Sequence, residues 1–297
     1  MEKLTDRLAL GVLRFFATAM LFFGVSVFIA GVPLFGMLTG SPLVQTIAGI
    51  LLQIGGAFVV GGGAALYLSR RRGPLLPNER AATSDAERPA LGGWLIALAI
   101  VLVTLPIWLV LRLRPFLAEW GRVIDFLATL DIWQGANANG SGLVLLPLFA
   151  ALTPPFFELA ALSAFVVASA ALFALLLSRS PRFPRIYLAC VVLLSALVIA
   201  SVRGADAAMS AAEAVRQLIE DTNPSAEEAA LLSDSLNRYT SIVSSTAPVL
   251  VWALCAYLIW IPGVISSRRA RIVFAKRARD AGAIDLESIT TPPRFRS

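Results

Sequence analysis

Histidine is absent from this 297-residue chain. That removes the commonest metal ligand and the usual general base near neutral pH. Cysteine is nearly absent: Cys190 and Cys255 are the only two, and both fall within long apolar runs. Their spacing forms no zinc or redox motif, and each reads as a small buried hydrophobe. Charge is also scarce, at 15% of residues, where soluble chains carry about a quarter. No close carboxylate pair lies within an apolar run, and no Ser or Thr there has a triad-type base partner. Gly61-Gly62-Gly63 lacks the lysine of a phosphate-binding loop. These absences argue against an enzyme, and no metal or cofactor is expected.

Apolar sequence fills the space that charge leaves. The chain is 58% hydrophobic with mean hydropathy +0.78, and its apolar residues are gathered into long blocks. Only helices and closed barrels satisfy the backbone inside a bilayer. A barrel would alternate apolar and polar residues over segments of about ten. These runs are continuous, so the expected fold is all-α: a polytopic helical integral membrane protein. The net charge of +6 does not point to nucleic acid. The basic residues collect beside the apolar runs, where they read as topology signals and lipid-headgroup contacts.

Phe15–Ser69 carries no charge over 55 residues, about right for two crossings of ~20 residues each. We place them at residues 9–30 and 43–68, with Arg14 snorkelling to the headgroups. The first exceeds the h-region of a cleaved signal peptide and is expected to be retained. The second carries two small-residue rows, Gly49/Gly56/Gly63 and Ala57/Gly61/Ala65. Such rows let helices approach closely in lipid, here within the chain rather than at a dimer seam. Gln53 is expected to bond a neighbouring helix.

Residues 70–90 form a polar linker. The third span begins at Leu91. Residues 115–133 follow as an amphipathic helix opened by Pro115 and expected to lie in the interface. Residues 143–153 are broken by Pro147 and followed by Pro154-Pro155. They read as a partial or re-entrant segment, after which a helix starts near Pro155. That start would put Glu158 in a first turn, where the helix dipole favours an anion. A charge-free run from Leu159 to Ser178 continues to the basic turn Arg179, Arg182 and Arg185. The fifth span is short, at 186–202. An acidic region at 203–244 holds seven of the 19 acids and is split by Asn223-Pro224. Ser225-Ala226-Glu227-Glu228 reads as a capping box opening its second helix. The last span is 246–265, kinked or started by Pro248, and a basic tail closes the chain.

Six spans place 19 of the Lys and Arg residues on the side of the termini and 6 on the other. The positive-inside rule then puts both the N- and C-termini in the cytoplasm. The expected organisation is a two-span module at 1–69, a linker at 70–90, a four-span domain at 91–275 with outer amphipathic helices, and a basic tail at 276–297.

Four short signatures follow one another from Leu91 onward. Gly92-Gly93-Trp94 leads to Pro106. Phe157-Glu158 opens the next span. Phe183-Pro184-Arg185 with Tyr187 makes the turn into another. Ile259-Trp260-Ile261-Pro262 precedes Ser267, Arg269 and Phe274. In order and spacing, residues 91–275 resemble the YdgK-like family of uncharacterised bacterial inner-membrane proteins, a domain of unknown function. Gly263 stands where that pattern usually has an aromatic, and Val101 where it commonly has Gly. The resemblance implies a four-helix membrane domain in a bacterial inner membrane and brings no activity, substrate or cofactor.

The residues singled out for function are Glu158, Arg185, Trp260 and Arg269. An ionisable group within a span is by default a functional candidate, which marks Glu158. Arg185 and Arg269 read as headgroup contacts and Trp260 as an interfacial anchor. The leading expectation is a structural, accessory or interaction protein of the cell envelope. Its expected partners are membrane lipids, and a second copy or an envelope protein. The alternative is a small-solute or ion transporter or channel component that uses Glu158.

Overall fold

The computed structural model describes residues 2–37, 42–70, 93–129, 145–222, 226–267, 270 and 273–274. Every element among them is helical: α1 (Glu2–Met37), α2 (Pro42–Arg70), α3 (Trp94–Thr129), α4 (Leu145–Leu177), α5 (Phe183–Thr222), α6 (Ala226–Leu258) and the short α7 (Ile261–Ser266). Six of these helices are long and apolar enough to cross a membrane. The fold is therefore an all-α, polytopic one, as the apolar blocks require.

The helices run longer than the sequence breaks suggest. Pro106 and Pro115 both lie inside α3, so the amphipathic stretch continues the third span rather than starting a separate helix. Likewise α4 runs unbroken through Pro147, Pro154 and Pro155, which replaces the expected re-entrant segment over 145–153. Residues 143–144 lie outside the described residues. The fifth span is not short, because α5 carries on through the acidic region to Thr222. Pro248 sits within α6 and neither starts nor ends it. Proline removes one backbone hydrogen bond, but a spanning helix has no water to which a broken backbone could turn. Continuation is then the lesser cost. The expected break at Asn223-Pro224 lies outside the described residues, between the end of α5 at Thr222 and the start of α6 at Ala226. Ser225, the proposed cap, lies outside the described residues.

At the heart of the bundle is α5, which packs against α2, α4 and α6. About two-thirds of its most apolar stretch is buried, against less than two-fifths for any other span. Large apolar side chains such as Phe15, Phe22, Val60, Ile107, Leu159 and Trp252 remain exposed around the outside. In a bilayer that exposure is solvation by acyl chains.

Small residues set the spacing of α1, α2 and α5. A Cβ on Gly62 would lie 2.7 Å from the Ala17 carbonyl oxygen, and one on Gly55 3.0 Å from that of Gly24. Gly61 meets α5 instead, where its Cβ would fall 2.6 Å from that of Ala196. Ala65 is fully buried on the same row, so the Ala57/Gly61/Ala65 row does pack within the chain. The Gly49/Gly56/Gly63 row does not: nothing stands within 4 Å of where those side chains would begin. The seam with α1 uses Gly55 and Gly62, one residue earlier and so ~100° around the helix. Gln53 is exposed, which corrects the expectation that its amide bonds a neighbour. Arg14 bonds the chain itself, its Nη2 donating to the Ser69 carbonyl at 3.0 Å.

The turn between α4 and α5 is tightly built. The Ser180 N–H reaches the Leu175 carbonyl at 3.0 Å and the Arg179 N–H that of Leu176 at 3.1 Å. This pairing is a Schellman motif, with Arg179 at φ 52° in the left-handed position that glycine usually takes. The buried Ser180 hydroxyl accepts the Arg182 N–H at 3.2 Å, and its carbonyl accepts the Phe183 N–H at 3.0 Å. The chain thus reverses within five residues and starts α5 from a fixed position.

Candidate functional site

Glu158 is buried, at 2% exposure, in the interior of α4. It lies 13 residues past the start of that helix, or ~20 Å along its axis. The helix dipole fades within the first turn and does not stabilise this carboxylate. Its partner is Thr246 of α6, whose hydroxyl Oγ1 donates to Glu158 Oε1. Thr246 is itself buried at 1% exposure, and the same hydroxyl also faces the Ile242 carbonyl of its own helix at 3.2 Å. Phe157, next to Glu158, packs its ring against Phe58 of α2 and Phe23 of α1, with centroids 5.7 and 6.4 Å away. Three helices besides its own thus wall in the Phe157-Glu158 pair.

A second polar contact joins the same two helices. Ser169 of α4 shares a hydrogen bond with the Tyr257 hydroxyl of α6, both groups buried. Tyr257 also accepts, through its backbone carbonyl, a 2.7 Å bond from the hydroxyl of Tyr187 in α5. The Tyr187 and Tyr257 rings stack with centroids 6.1 Å apart. Phe183 extends the group, stacking on Phe274 at 4.7 Å. Both inter-helix pairs of α4 and α6 are 88 residues apart in sequence. The helices therefore run parallel in one register, with their two polar contacts 11 residues apart. Eleven residues are three turns, ~16 Å, so both contacts fall on one face.

Another buried hydroxyl lies near the upper contact. Ser201 of α5 is fully buried, and its Oγ has no hydrogen-bond partner. Glu158 is 19 residues above the end of α4, and Ser201 is 18 above the start of α5. At ~1.5 Å per residue the two stand at about the same height in the bundle.

The other sequence candidates fall at the opposite end. Arg185 is half-buried in the first turn of α5. Trp260 caps α7 and stacks on Trp94 at the start of α3, with centroids 6.2 Å apart and planes 20° apart. Gly263 lies beneath that pair: a Cβ there would touch the Trp94 indole at 3.5 Å, an ordinary contact. Arg269 lies outside the described residues. The structure therefore brings Trp260 and Arg185 to the end of the bundle away from Glu158. No group of three or more metal-ligating side chains occurs among the described residues.

Thr246, Ser169, Tyr257 and Ser201 were not singled out from sequence. One signal was there to find: each of two apolar runs carries a polar pair at an 11-residue interval, Glu158/Ser169 and Thr246/Tyr257. Comparison with protein-family models, curated proteins and solved structures gives no match for the chain.

Proposed function

We propose that this chain is a multi-pass protein of a bacterial inner membrane, with both termini cytoplasmic, that acts as a structural or accessory partner in the cell envelope. The observation that carries this is the state of Glu158. Its carboxylate is held by Thr246 in a packed seam between two parallel helices that are pinned again three turns away. Breaking a buried polar contact of this kind is costly, and satisfied ones specify a single arrangement. A carboxylate so placed sets helix register. The order and spacing of the signatures from Gly92 to Phe274 favour membership of the YdgK-like family, which we include in the proposal.

The contact surface we assign to a partner is the helical hairpin that continues α5 and α6 beyond their apolar stretches. Arg216 of α5 bonds Asn237 of α6 at 3.2 Å, so the hairpin is stitched as one body. Among the described residues three exposed pairs form at short range: Arg203 with Asp206, Arg216 with Glu213, and Arg238 with Asp234. Isolated surface pairs add little stability, which leaves these groups available for a partner. The test is purification of the full chain in mild detergent from a native membrane, with and without substitutions at Arg216 and Asn237. A stoichiometric protein that is lost with those variants supports the proposal. Repeated recovery of the chain alone, from membranes cross-linked before extraction, sinks it.

One observation favours the transport alternative. The unpartnered Ser201 hydroxyl stands at the level of Glu158, and a buried orphan of that kind calls for an explanation, such as a water. Solute or ion flux into liposomes that wild type supports and Glu158→Gln abolishes would establish that alternative.

A further inference from the structure

The outward side of α2 differs from that of its neighbours. Gly49, Gln53, Gly56, Val60, Gly63 and Tyr67 recur at alternating intervals of four and three residues, so they share one side of the helix. Gln53, Val60 and Tyr67 are exposed. A Cβ on Gly49, Gly56 or Gly63 would meet no described residue within 4 Å. This side is turned away from α1, which packs on Gly55 and Gly62, and from α5, which packs on Gly61. On α1 the outward stripe at a seven-residue interval is Leu8, Phe15, Phe22 and Ile29, all large, apolar and exposed. Acyl chains solvate such side chains well. On α2 the same interval presents glycines and an amide.

Gln53 is the group that asks for a partner. It stands three residues before Gly56, the middle of α2, or ~4.5 Å along the axis, and so within the hydrocarbon. Its side chain forms no hydrogen bond among the described residues. Lipid tails offer an amide neither donor nor acceptor, and leaving one bare among them is costly. The group that satisfies it must be polar and must stand at the same depth.

We propose that this side of α2 is the interface of a parallel homodimer, in which Gln53 pairs with the same residue of a second copy. Two copies inserted in the same direction bring each residue to the depth of its counterpart. A twofold axis along the membrane normal then sets amide against amide. The amide carries both donors and an acceptor, so its partial charges complement those of an identical group, and each NH2 donates to the other's carbonyl. Glycines on both sides of Gln53 let the two backbones come close enough for that exchange. The seven-residue repeat keeps the stripe facing its copy at a shallow left-handed crossing. From Gly49 to Tyr67 it rises ~27 Å, most of a hydrocarbon core of about 30 Å. Val60, solvated by acyl chains in a single copy, packs on its counterpart. The surface is its own complement, so assembly closes at two copies. This interface stands apart from Glu158 and from the hairpin of α5 and α6.

The test uses the full chain carrying Cys190→Ala and Cys255→Ala, first in its membrane and then purified in a mild detergent. In the membrane, Gly49→Cys, Gly56→Cys and Val60→Cys are oxidised one at a time with copper phenanthroline. Each should give a disulfide-linked dimer, and Phe22→Cys on α1 and Ile107→Cys on α3, both exposed, should not. In detergent, native mass spectrometry over a dilution series gives the dissociation constant. Gln53→Leu should raise it roughly tenfold, the worth of one hydrogen bond between membrane helices, and Gln53→Asn, which keeps an amide, should raise it less. Gly56→Leu should separate the copies. Neither position touches α1 or α5, so at dilutions where the copies are apart the unfolding midpoint of both leucine variants should not fall. That control distinguishes a lost interface from a lost fold. Equal cross-linking from α1 and α2, or a dimer indifferent to both Gln53→Leu and Gly56→Leu, overturns the proposal. Cross-linking of the α2 cysteines to a different protein, with no dimer formed, also overturns it.

Discussion

Glu158 and Thr246 are separated by the same 88 residues as Ser169 and Tyr257, and the two hydrogen-bonded pairs join the same two helices. This fixes α4 and α6 as parallel and in register over three turns. Slipping one helix by a single residue would break both contacts at once, since each is a point contact between short polar groups. In lipid there is no hydrophobic force to hold two apolar helices in one alignment. Polar pairs supply that alignment.

The first prediction concerns Thr246. Thr246→Val keeps the shape and removes the hydroxyl that donates to Glu158. We expect a loss of roughly 1.5–3 kcal/mol, the usual contribution of a hydrogen bond to a charged group. Thr246→Ser retains the hydroxyl and should stay within about 0.5 kcal/mol of wild type. Thermal or denaturant unfolding of the detergent-solubilised chain checks both. Equal effects of valine and serine would mean that the bond contributes nothing.

A second prediction separates two adjacent glycines. Gly62→Ala forces a methyl to within 2.7 Å of the Ala17 carbonyl oxygen and should push α1 away, at about 1–3 kcal/mol for overpacking. Gly63→Ala meets nothing within 4 Å and should be neutral or stabilising by up to ~1 kcal/mol through helix propensity. Comparison of unfolding midpoints decides it, and the reverse order would put α1 on the wrong face of α2.

Ser201 gives a prediction of the opposite sign from most polar deletions. Its hydroxyl is buried and unpartnered, so Ser201→Ala removes a desolvated group and no bond. Stability should rise, by up to about 1–3 kcal/mol. A fall instead would show that the hydroxyl holds a water or solute at the level of Glu158, and would strengthen the transport alternative.

The Trp94–Trp260 stack can be measured directly. Leu at either position removes the aromatic pair, and a double-mutant cycle should return a coupling of about 0.5–1.5 kcal/mol. A cycle that closes to zero would show that the rings only touch. The stack also joins the first and last of the four signatures, just as Phe183 and Phe274 join the third and last.

Orientation is open to cysteine labelling in a cysteine-free background. Probes at Asn137 and Ser225 should label from outside the cell, and probes at Ser84, Ser180 and Ser297 should not. A probe that labels from the other side would refute the arrangement with both termini cytoplasmic.

The apolar blocks alone determined that the chain forms six spanning helices, because bilayer thickness and backbone hydrogen bonding leave few alternatives. They also marked Glu158 as the carboxylate to watch. Three outcomes were decided only in the tertiary structure. Helix lengths were one: Pro115 and Pro155 look like starts by local rule, yet α3 and α4 continue through them. The face of α2 that packs on α1 was another, since Gly55/Gly62 and Gly56/Gly63 repeat at the same interval and differ only in direction. The partner of Glu158 was the third, because Thr246 follows Thr240, Ser241, Ser244 and Ser245 and the sequence does not say which of these hydroxyls faces α4. Periodicity reports that a helix has a given face, and only packing chooses what that face meets.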